Sequence, residues 1–359
     1  MLRRVPRSLD RSALDMSDHN HVIVIAEAGV NHNGDISTAL QLVDAAVDAG
    51  ADIVKFQTFQ AHKLVTASAR LAKYQEKQFA GGRGPENIQA GQSELLKALE
   101  LSHDQHLLIK AHCDAVGIGF LSTAFDLDSL DYLRSIGISL FKIPSGEITN
   151  LPYLRRIATI ADTIILSTGM SSLEEVKAAL DVLLSGGLTL DDVVILHCTT
   201  AYPTPLYEVN LLAMNSIKEA FGVRVGYSDH THGIEVAIAA TGLGARVIEK
   251  HLTLDRLMSG PDHFASIEPS EFGQMVSGIR AIEQALGDGH KTPTRSEREN
   301  IILARKSIVA SKKICKGERL DDDNLTAKRP ASGISPMRWN DVVGSSAIKD
   351  FEIDELIEI

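Results

Sequence analysis

Short apolar runs rich in β-branched residues alternate with longer amphipathic segments along most of the chain. Their apolar residues are nearly continuous, which is typical of parallel strands covered by helices on both faces. Eight such βα units predict a TIM (β/α)8 barrel, and a doubly wound open sheet is the alternative. The first turn, GVNHNGD, lacks the GxGxxG pattern of dinucleotide-binding sheets. The eight runs predicted as strands are residues 22–26, 52–56, 117–121, 138–142, 163–167, 193–197, 223–227 and 246–250.

Residues 38–50 and 172–187 are among the segments predicted as helices between these strands. Ser37 and Ser171 precede them, and a hydroxyl side chain at this place typically caps a helix. Gly50 and Gly186 are predicted as the glycines that end the two helices, because glycine tolerates the left-handed conformation found there.

The pattern divides the chain into four parts. Residues 1–20 are predicted as an N-terminal extension and residues 21–287 as the barrel. Residues 288–299 are polar, contain a proline and are predicted as a linker. Residues 300–359 predict a small β-rich domain that would be marginally stable without contacts to the barrel or to a partner subunit.

Within the barrel, residues 60–92 form a long insertion after the second strand and include the sequence GGRGP at 81–85. A loop of this length is more typical of an active-site lid or a subunit contact than of the core.

The composition narrows the function further. With 44% hydrophobic and 23% charged residues, the chain has the balance of a globular protein. Its net charge of −11 argues against a nucleic acid or an anionic membrane as partner, because both require a positive surface. The three cysteines are far apart in the sequence, which predicts a cytoplasmic protein without disulfides. No apolar run is long enough to span a membrane.

Polar side chains follow every predicted strand, where TIM-barrel enzymes carry their active sites. Lys55 and Lys142 interrupt apolar strands, and they predict an anionic, phosphorylated or carboxylated substrate together with nearby hydroxyl donors. The alternatives are lysines that extend to solvent at strand ends, or a Schiff-base lysine. The polar residues at or after the strand ends are Glu27, Gln57, Thr123, Ser145, Glu147, Ser167, Thr200, Tyr202, Ser228, His230, Glu249 and His251.

His230 and His251 lie one βα unit apart, so they should occupy neighbouring strand ends. Two neutral imidazoles there could hold a divalent metal, and two unconnected histidines are the alternative. Of His230 and His232 only one can point inward. Asp229 would either orient His230 or cap the next helix. His19 and His21 precede the first strand, at the wrong end for such a site.

Three carboxylates, Glu27, Glu147 and Asp262, are predicted near the same mouth. They could accept hydrogen bonds from sugar hydroxyls or transfer protons. The alternative is an ion pair with Lys55 or Lys142, which the sequence favours for Glu147.

The strand-end motifs, in this order, closely resemble those of the sialic acid synthase family. The tail KSIVA…KGE…LTAKRPASGISP resembles the antifreeze-like (SAF-type) domain at the C-terminus of that family. The resemblance extends over about residues 22–349 and implies a TIM barrel followed by this domain. The motifs are IAEAGVNHNGD, VKFQTF, FKIPSGEITN, LSTGM, HCTTAYPTP, GYSDHT, VIEKH and GPDH.

The resemblance implies a transferase that condenses phosphoenolpyruvate with an N-acylated mannosamine-type sugar and releases phosphate. It implies a divalent cofactor, usually Mn²⁺, with Mg²⁺ or Co²⁺ as alternatives, on His230 and His251. Glu27 joins these histidines as a catalytic residue. The positions matching contacts to phosphate and carboxylate are Lys55, Thr123, Lys142, Ser145, Ser167 and Ser228, and those on the sugar side are Glu27, Gln57, Tyr202 and Asp262.

The family also implies a domain-swapped homodimer in which the C-terminal domain covers the partner's active site. Arg329 matches an arginine that reaches the sugar of the partner subunit. Ala331 stands where many members have glycine, which could alter how Arg329 is presented.

Departures from the pattern indicate which sugar is used. Thr200 replaces an asparagine that binds phosphate in many N-acetylneuraminate-forming members. HCTTAYPTP and GISPMRW resemble the branch that makes N,N′-diacetyllegionaminate from 2,4-diacetamido-2,4,6-trideoxymannose. N-acetylmannosamine is the next alternative and a pseudaminate precursor the third. From other classes, a metal-dependent TIM-barrel hydrolase would need four or more protein ligands, and a non-catalytic ice- or glycan-binding protein is suggested by the tail alone.

Overall fold

The computed structural model describes residues 21–66, 69–70 and 91–359. The predicted N-terminal extension and the GGRGP sequence of the insertion lie outside these residues. The chain divides into two compact units, with the boundary between Gly287 and Asp288.

Eight parallel strands in the first unit form a nearly closed barrel, which confirms the TIM-barrel prediction and excludes the open sheet. Within the described chain no ladder joins β3 to β4, and the seven other neighbouring pairs run in the order β3-β2-β1-β8-β7-β6-β5-β4. Most strands continue one to three residues beyond the predicted end. The strands are β1 Ile23–Gly29, β2 Ile53–Thr58, β3 Gly119–Ala124, β4 Leu140–Ile143, β5 Thr163–Ser167, β6 Val193–Cys198, β7 Arg224–Asp229 and β8 Val247–His251.

Helices connect the strands on the outside of this barrel. They are α1 Ile36–Asp48, α2 Ala61–Leu64, α3 Gln92–Leu99, α4 His103–Val116, α5 Leu127–Ser135, α6 Leu151–Ile160, α7 Leu173–Ser185, α8 Ala213–Phe221, α9 Glu235–Gly242 and α10 Pro269–Leu286.

The predicted helix ends are wrong by one or two residues at three places. Asp35 rather than Ser37 caps α1, because its carboxylate accepts from the Thr38 N–H group. Ser172 caps α7 in a capping box with Glu175, so its neighbour Ser171 does not. After α7 the positive φ of +115° belongs to Gly187 instead of Gly186.

Two apolar layers stabilise the barrel, because side chains on successive strand residues point to opposite faces. Inside the ring lie Ile25, Ile53, Leu121, Ile165 and Val247 with other aliphatic residues of the strands. The alternate strand residues pack outward with the helices in one large core.

The interior is tight at Gly226 of β7. A Cβ atom there would lie 2.3 Å from the carbonyl oxygen of Val247. The barrel is therefore filled at this level, and open space for a ligand lies towards the carboxyl ends of the strands.

The second unit contains helix α11 Arg295–Ala304, strands β9 Ser307–Ala310 and β10 Leu325–Lys328, and helix α12 Trp339–Val342. The two strands pair antiparallel, and Ile308, Leu325 and Phe351 belong to a separate apolar core. The small β-containing domain is thus present, as predicted.

The last part of the predicted linker, residues 288–299, is helical rather than irregular. Thr294 and Glu297 form a reciprocal capping box, and α11 begins at Arg295. A threonine followed three residues later by glutamate is a start signal for a helix. The segment was nevertheless predicted as a linker because its composition is polar throughout.

Among the described residues, the helices include none that is long and apolar enough to cross a membrane.

Candidate active site

A cavity of about 360 Å³ opens at the carboxyl ends of the barrel strands. Of the fourteen predicted site residues, thirteen line the cavity: Glu27, Lys55, Gln57, Thr123, Lys142, Ser145, Ser167, Thr200, Tyr202, Ser228, His230, His251 and Asp262. The remaining one, Arg329, belongs to the second unit, where its side chain is exposed.

Two buried lysines share one carboxylate at the base of the cavity. Lys142 Nζ lies 3.2 Å from Glu249 Oε1, and Lys55 Nζ lies 3.6 Å from Glu249 Oε2. Lys55 also forms an ion pair with Glu27 at 2.7 Å and donates to Thr123 Oγ1 at 3.1 Å. Both lysines are only 3% exposed, so neither extends to solvent.

Burial and neighbouring charges separate the acidities of the two glutamates. Burial raises the pKa of Glu27 to about 7, against the opposing charge of Lys55. Burial also acts on Glu249, but Lys142 and Lys55 lower its pKa to about 2. At neutral pH, Glu249 is therefore the firmly ionised carboxylate, whereas Glu27 can take up or release a proton.

Hydroxyl groups from β4, β5 and β7 complete the polar side of the cavity. Ser145 Oγ accepts from the Gly169 N–H group at 2.9 Å, and Ser228 Oγ donates to Glu249 at 2.9 Å. In the described part of the chain, Ser167 Oγ is one of the few buried side-chain oxygens that make no hydrogen bond. A buried donor without a partner is costly, so a ligand oxygen at Ser167 would satisfy it.

Gly169 lies against three side chains that line the cavity, and a larger residue would not fit there. A Cβ atom at this position would lie 2.6 Å from Thr200 Cγ2, 2.9 Å from Ser145 Oγ and 3.2 Å from Cys198 Sγ. Thr200 and Ser145 therefore both lie close to Gly169 on the polar side of the cavity.

The rings of His230 and His251 lie together, with centroids 5.4 Å apart and planes at 64°. His230 Nδ1 is 2.6 Å from the Thr199 carbonyl oxygen, to which it donates, so Nε2 keeps its lone pair. Burial lowers the pKa of His230 to about 4 and the pKa of His251 well below its usual value. Both imidazoles are thus neutral at pH 7.

These properties fit a divalent metal ion. Neutral imidazoles are the form that binds metals, and His251 Nδ1 is buried without a hydrogen bond. In residues 21–66, 69–70 and 91–359 there is no group of three or more histidine, cysteine or acidic side chains suited to a metal. The two histidines could hold an ion only if substrate or water supplied the remaining ligands.

The contacts of Asp229 match neither of its two sequence interpretations. Asp229 Oδ1 accepts from the N–H and hydroxyl groups of Thr231, and Asp229 Oδ2 pairs with Lys250, so its carboxylate neither contacts the His230 ring nor caps α9. His232 packs against Phe264, which leaves His230 as the inward residue of the triplet.

Tyr202, Gln57 and Asp262 surround the histidines and Glu27. The Tyr202 and His230 rings lie 4.1 Å apart, and Gln57 Nε2 donates to Glu27 Oε1 at 3.3 Å. Asp262 Oδ2 is 3.9 Å from His251 Nδ1, and burial raises the pKa of Asp262 to about 6.

The predicted ion pair of Glu147 is absent. Its carboxylate accepts from Asn150 Nδ2 at 2.5 Å instead, and Glu147 does not line the cavity, unlike Glu27 and Asp262. The reason is local: a 3-10 turn at Ser145–Glu147 points the glutamate towards the start of α6.

An apolar wall forms the side of the cavity above β1, β2 and β3. It consists of Val30, Leu64, Val65, Leu95, Leu96, Leu99 and Phe125. The ends of β1 to β3 also carry polar residues that line the cavity, but the apolar wall is confined to this side, whereas mainly hydroxyl groups follow β4 to β7.

Two features of the site were not identified from the sequence. The first is Glu249 as the shared partner of both lysines. Alternation along β8 could have found it, since Val247, Glu249 and His251 must share one face. The second is the apolar wall, whose leucines have the pattern of ordinary core residues until α3 is placed over the cavity.

Comparison with protein families agrees with this geometry. Residues 42–291 match the model of the NeuB family, and residues 305–358 match that of the SAF domain. The chain belongs to the NeuB family. The NeuB family comprises phosphoenolpyruvate-dependent synthases of sialic acids and related nonulosonic acids, so the predicted resemblance is confirmed.

Curated relatives within the NeuB family cover nearly the whole chain. The N,N′-diacetyllegionaminic acid synthase of Campylobacter jejuni is 51% identical over 335 residues, which are 93% of this chain and 98% of that protein. The protein of the same name from Legionella pneumophila is 46% identical over 324 residues, 90% of this chain and 89% of that one.

A solved structure of the NeuB family is also similar. It is the N-acetylneuraminic acid (sialic acid) synthetase of Leptospira borgpetersenii serovar Hardjo-bovis, in complex with citrate. It has a TM-score of 0.67 and 35% identity, and the match covers 79% of this chain and 91% of the other. Membership of this family disfavours the hydrolase and the non-catalytic glycan-binding alternatives.

Proposed function

We propose that the protein condenses phosphoenolpyruvate with 2,4-diacetamido-2,4,6-trideoxymannose to give N,N′-diacetyllegionaminate and phosphate. The proposal rests on the presence, in one cavity, of two buried lysines, serine and threonine hydroxyls and two neutral imidazoles. The first two groups suit a phosphate and a carboxylate, and the third suits an ion that polarises an aldehyde.

Phosphoenolpyruvate would bind on the polar side, against Lys55, Lys142 and the hydroxyls of Ser145, Ser167 and Ser228. Without substrate, Glu249 neutralises part of the lysine charge. These contacts of Glu249 hold the ammonium groups of Lys55 and Lys142 in place before a phosphate or carboxylate of the substrate binds to them. Such preorganisation lowers the cost of ordering the site.

A divalent metal, Mn²⁺ with Mg²⁺ or Co²⁺ as alternatives, would be held by His230 and His251. When bound, it would act as a Lewis acid on the sugar aldehyde. His230 keeps Nε2 available through its Nδ1–H donation to Thr199.

Glu27 is the group best suited to move a proton. Its carboxyl has a pKa near neutrality and contacts both Lys55 and Gln57. In the proposed reaction Glu27 transfers a proton on the sugar side, while Tyr202 and Asp262 orient the sugar.

The choice of sugar is supported by identity and by chemistry. The two legionaminate synthases described above share 51% and 46% of residues with this chain. Relative to N-acetylmannosamine, the trideoxy sugar replaces one hydroxyl with hydrogen and another with acetamido, so it presents two additional methyl groups. The apolar wall of Leu64, Leu95 and Leu96 favours such groups. N-acetylmannosamine is the second candidate.

We further propose a domain-swapped homodimer in the cytoplasm, in which Arg329 reaches the sugar bound by the partner subunit. The proposal rests on the SAF domain at residues 305–358 and on the exposed side chain of Arg329.

Phosphate release from phosphoenolpyruvate tests the function, with each candidate sugar supplied separately, with Mn²⁺ and with EDTA. Release should require both a sugar and the metal, and the trideoxy sugar should give the highest kcat/KM. No release with any of the three sugars would contradict the synthase proposal. A preference for N-acetylmannosamine would change only the substrate.

A further inference from the structure

A buried ion pair lies directly behind the two histidines. Asp229 and Lys250 are partners in the register of β7 and β8, and Lys250 Nζ is 2.7 Å from Asp229 Oδ2. The same ammonium donates to the Thr231 carbonyl oxygen at 2.8 Å. Asp229, Lys250 and Thr231 are each no more than 1% exposed.

Strand alternation places this pair on the opposite face from the cavity. Ser228 and Glu249 line the cavity, so Asp229 and Lys250, the next residue of each strand, point towards the helices. Neither residue of the pair lines the cavity.

Lys250 contacts the residues on both sides of His230, and it directly precedes His251 in the chain. The last register pair between β7 and β8 is Asp229 with Lys250, so His230 lies one residue beyond the ladder. Lys250 continues the connection on the far side of His230 through its bond to Thr231. Since His251 directly follows Lys250, one ammonium fixes the backbone around both imidazoles.

Stability alone is a weak explanation for such a group. Removing two charges from water costs about as much as their attraction returns, and apolar replacements of buried pairs are often neutral. What an ammonium supplies and a methyl group cannot is directional donation to two acceptors on the neighbouring strand end.

We propose that the Asp229–Lys250 bridge is a positioning device that sets the relative placement of His230 and His251 for metal binding. The inference rests on the proposed metal site. The bridge acts through the backbone of the two ligands, whereas the Thr199 carbonyl oxygen holds the His230 ring itself.

Mn²⁺ titration of the full-length protein without substrates, followed by electron paramagnetic resonance, tests the proposal. Lys250→Met keeps the length of the side chain and removes its donors. The double variant Asp229→Asn/Lys250→Met also removes the unpaired carboxylate, and it decides the question if the single variant does not fold. Both should weaken Mn²⁺ binding at least about tenfold.

Arg280→Met is the matched control. Arg280 pairs with Asp52 and Glu283 at the amino ends of the strands, so its loss also disrupts a partly buried ion network. This variant should lower the thermal midpoint but keep the Mn²⁺ affinity of the wild type.

Three results would overturn the proposal. They are unchanged Mn²⁺ affinity in folded bridge variants, equal weakening in Arg280→Met, and absence of Mn²⁺ binding by the wild type. Phosphate release by the wild type is measured separately, so failure of the bridge is distinguishable from failure of the synthase reaction.

Discussion

Gly169 shows how a residue without a side chain shapes the polar side of the cavity. Its hydrogen atom occupies the place where a methyl group would meet Thr200 and Ser145. Protein interiors cannot absorb such an overlap without moving a neighbour. The positions of the Thr200 and Ser145 side chains therefore depend on this glycine.

Gly169→Ala should raise the KM for phosphoenolpyruvate about tenfold or more, because a displaced hydroxyl loses a hydrogen bond to a charged ligand. The KM for the sugar should change little. Steady-state phosphate release at varied concentrations of each substrate measures both constants. Gly242→Ala is the control, since a Cβ atom at this exposed residue at the end of α9 meets nothing within 4 Å and lies outside the cavity. Equal effects of the two substitutions would contradict the prediction.

At this scale the sequence predicts residue types and places well but not their partners. Lys55, Lys142 and the two histidines were found because polar groups at the ends of apolar strands are conspicuous. The ion pair of Glu249 with both lysines was not, since pairing depends on side-chain reach across β2, β4 and β8. The interpretation of Glu147 as an ion-pair partner of a lysine was wrong because a local turn directs its side chain to Asn150.

Elements decide which side of the cavity carries the apolar wall. Polar residues line the cavity at the ends of β1 to β3 as well as β4 to β7, but helices α2 and α3 bring leucines only over β1 to β3. Leu95 and Leu99 of α3 are buried with Val30 and Phe59 in one cluster, and Leu96 packs against it while facing the cavity. Helix α3 is thus an element that both anchors the wall and contacts the ligand space.

Leu96→Asn should lower kcat/KM for the trideoxy sugar roughly tenfold, because a polar amide replaces the surface on which its methyl groups would pack. With N-acetylmannosamine the change should be smaller, so the ratio of the two kcat/KM values falls. Competition between the sugars in one reaction gives this ratio directly. Leu107→Asn, at a half-exposed position of α4, should leave it unchanged. A constant ratio in Leu96→Asn would remove the wall from substrate selection.

All eight strands could be predicted because buried parallel strands give continuous apolar runs that few other structures produce. Helix ends were less accurate. Asp35, Ser172 and Thr294 each compete with a nearby hydroxyl or carboxylate as the cap, and the winner depends on local hydrogen bonds. Helix α3 could not be placed over the cavity because its amphipathic pattern does not indicate against which surface its apolar face packs.

For the whole molecule, buried histidines link stability to pH. Burial lowers the pKa of His32 and of His263 from 6.5 to about 4. Both side chains are fully inaccessible in the barrel. Between the two pKa values the unfolded chain binds more protons than the folded one, so stability falls as pH falls through this window.

Each of these two histidines should therefore remove on the order of 3 kcal/mol of stability between about pH 6.5 and pH 4, whereas the raised pKa values of Glu27 and Asp262 act in the opposite direction over part of this range. Urea unfolding followed by circular dichroism at several pH values measures the slope. His32→Asn retains an acceptor for the Gly34 N–H group and should flatten the slope, whatever its effect at neutral pH. An unchanged slope in this variant would assign the pH dependence to other groups.

The proposed exchange of domains between subunits makes a prediction that neither unit makes alone. A Lys142→Met chain lacks a cation of its cavity, and an Arg329→Ala chain lacks the arginine proposed to reach the sugar. If Arg329 acts across the dimer, co-expressed chains form hybrids with one intact site, and random pairing returns about a quarter of wild-type activity. If Arg329 acts within its own chain, no intact site forms. The control pairs Lys142→Met with the double variant Lys142→Met/Arg329→Ala, which has no intact cavity in any dimer. Phosphate release by the purified mixtures measures the outcome, and hybrids no more active than this control would exclude action across subunits.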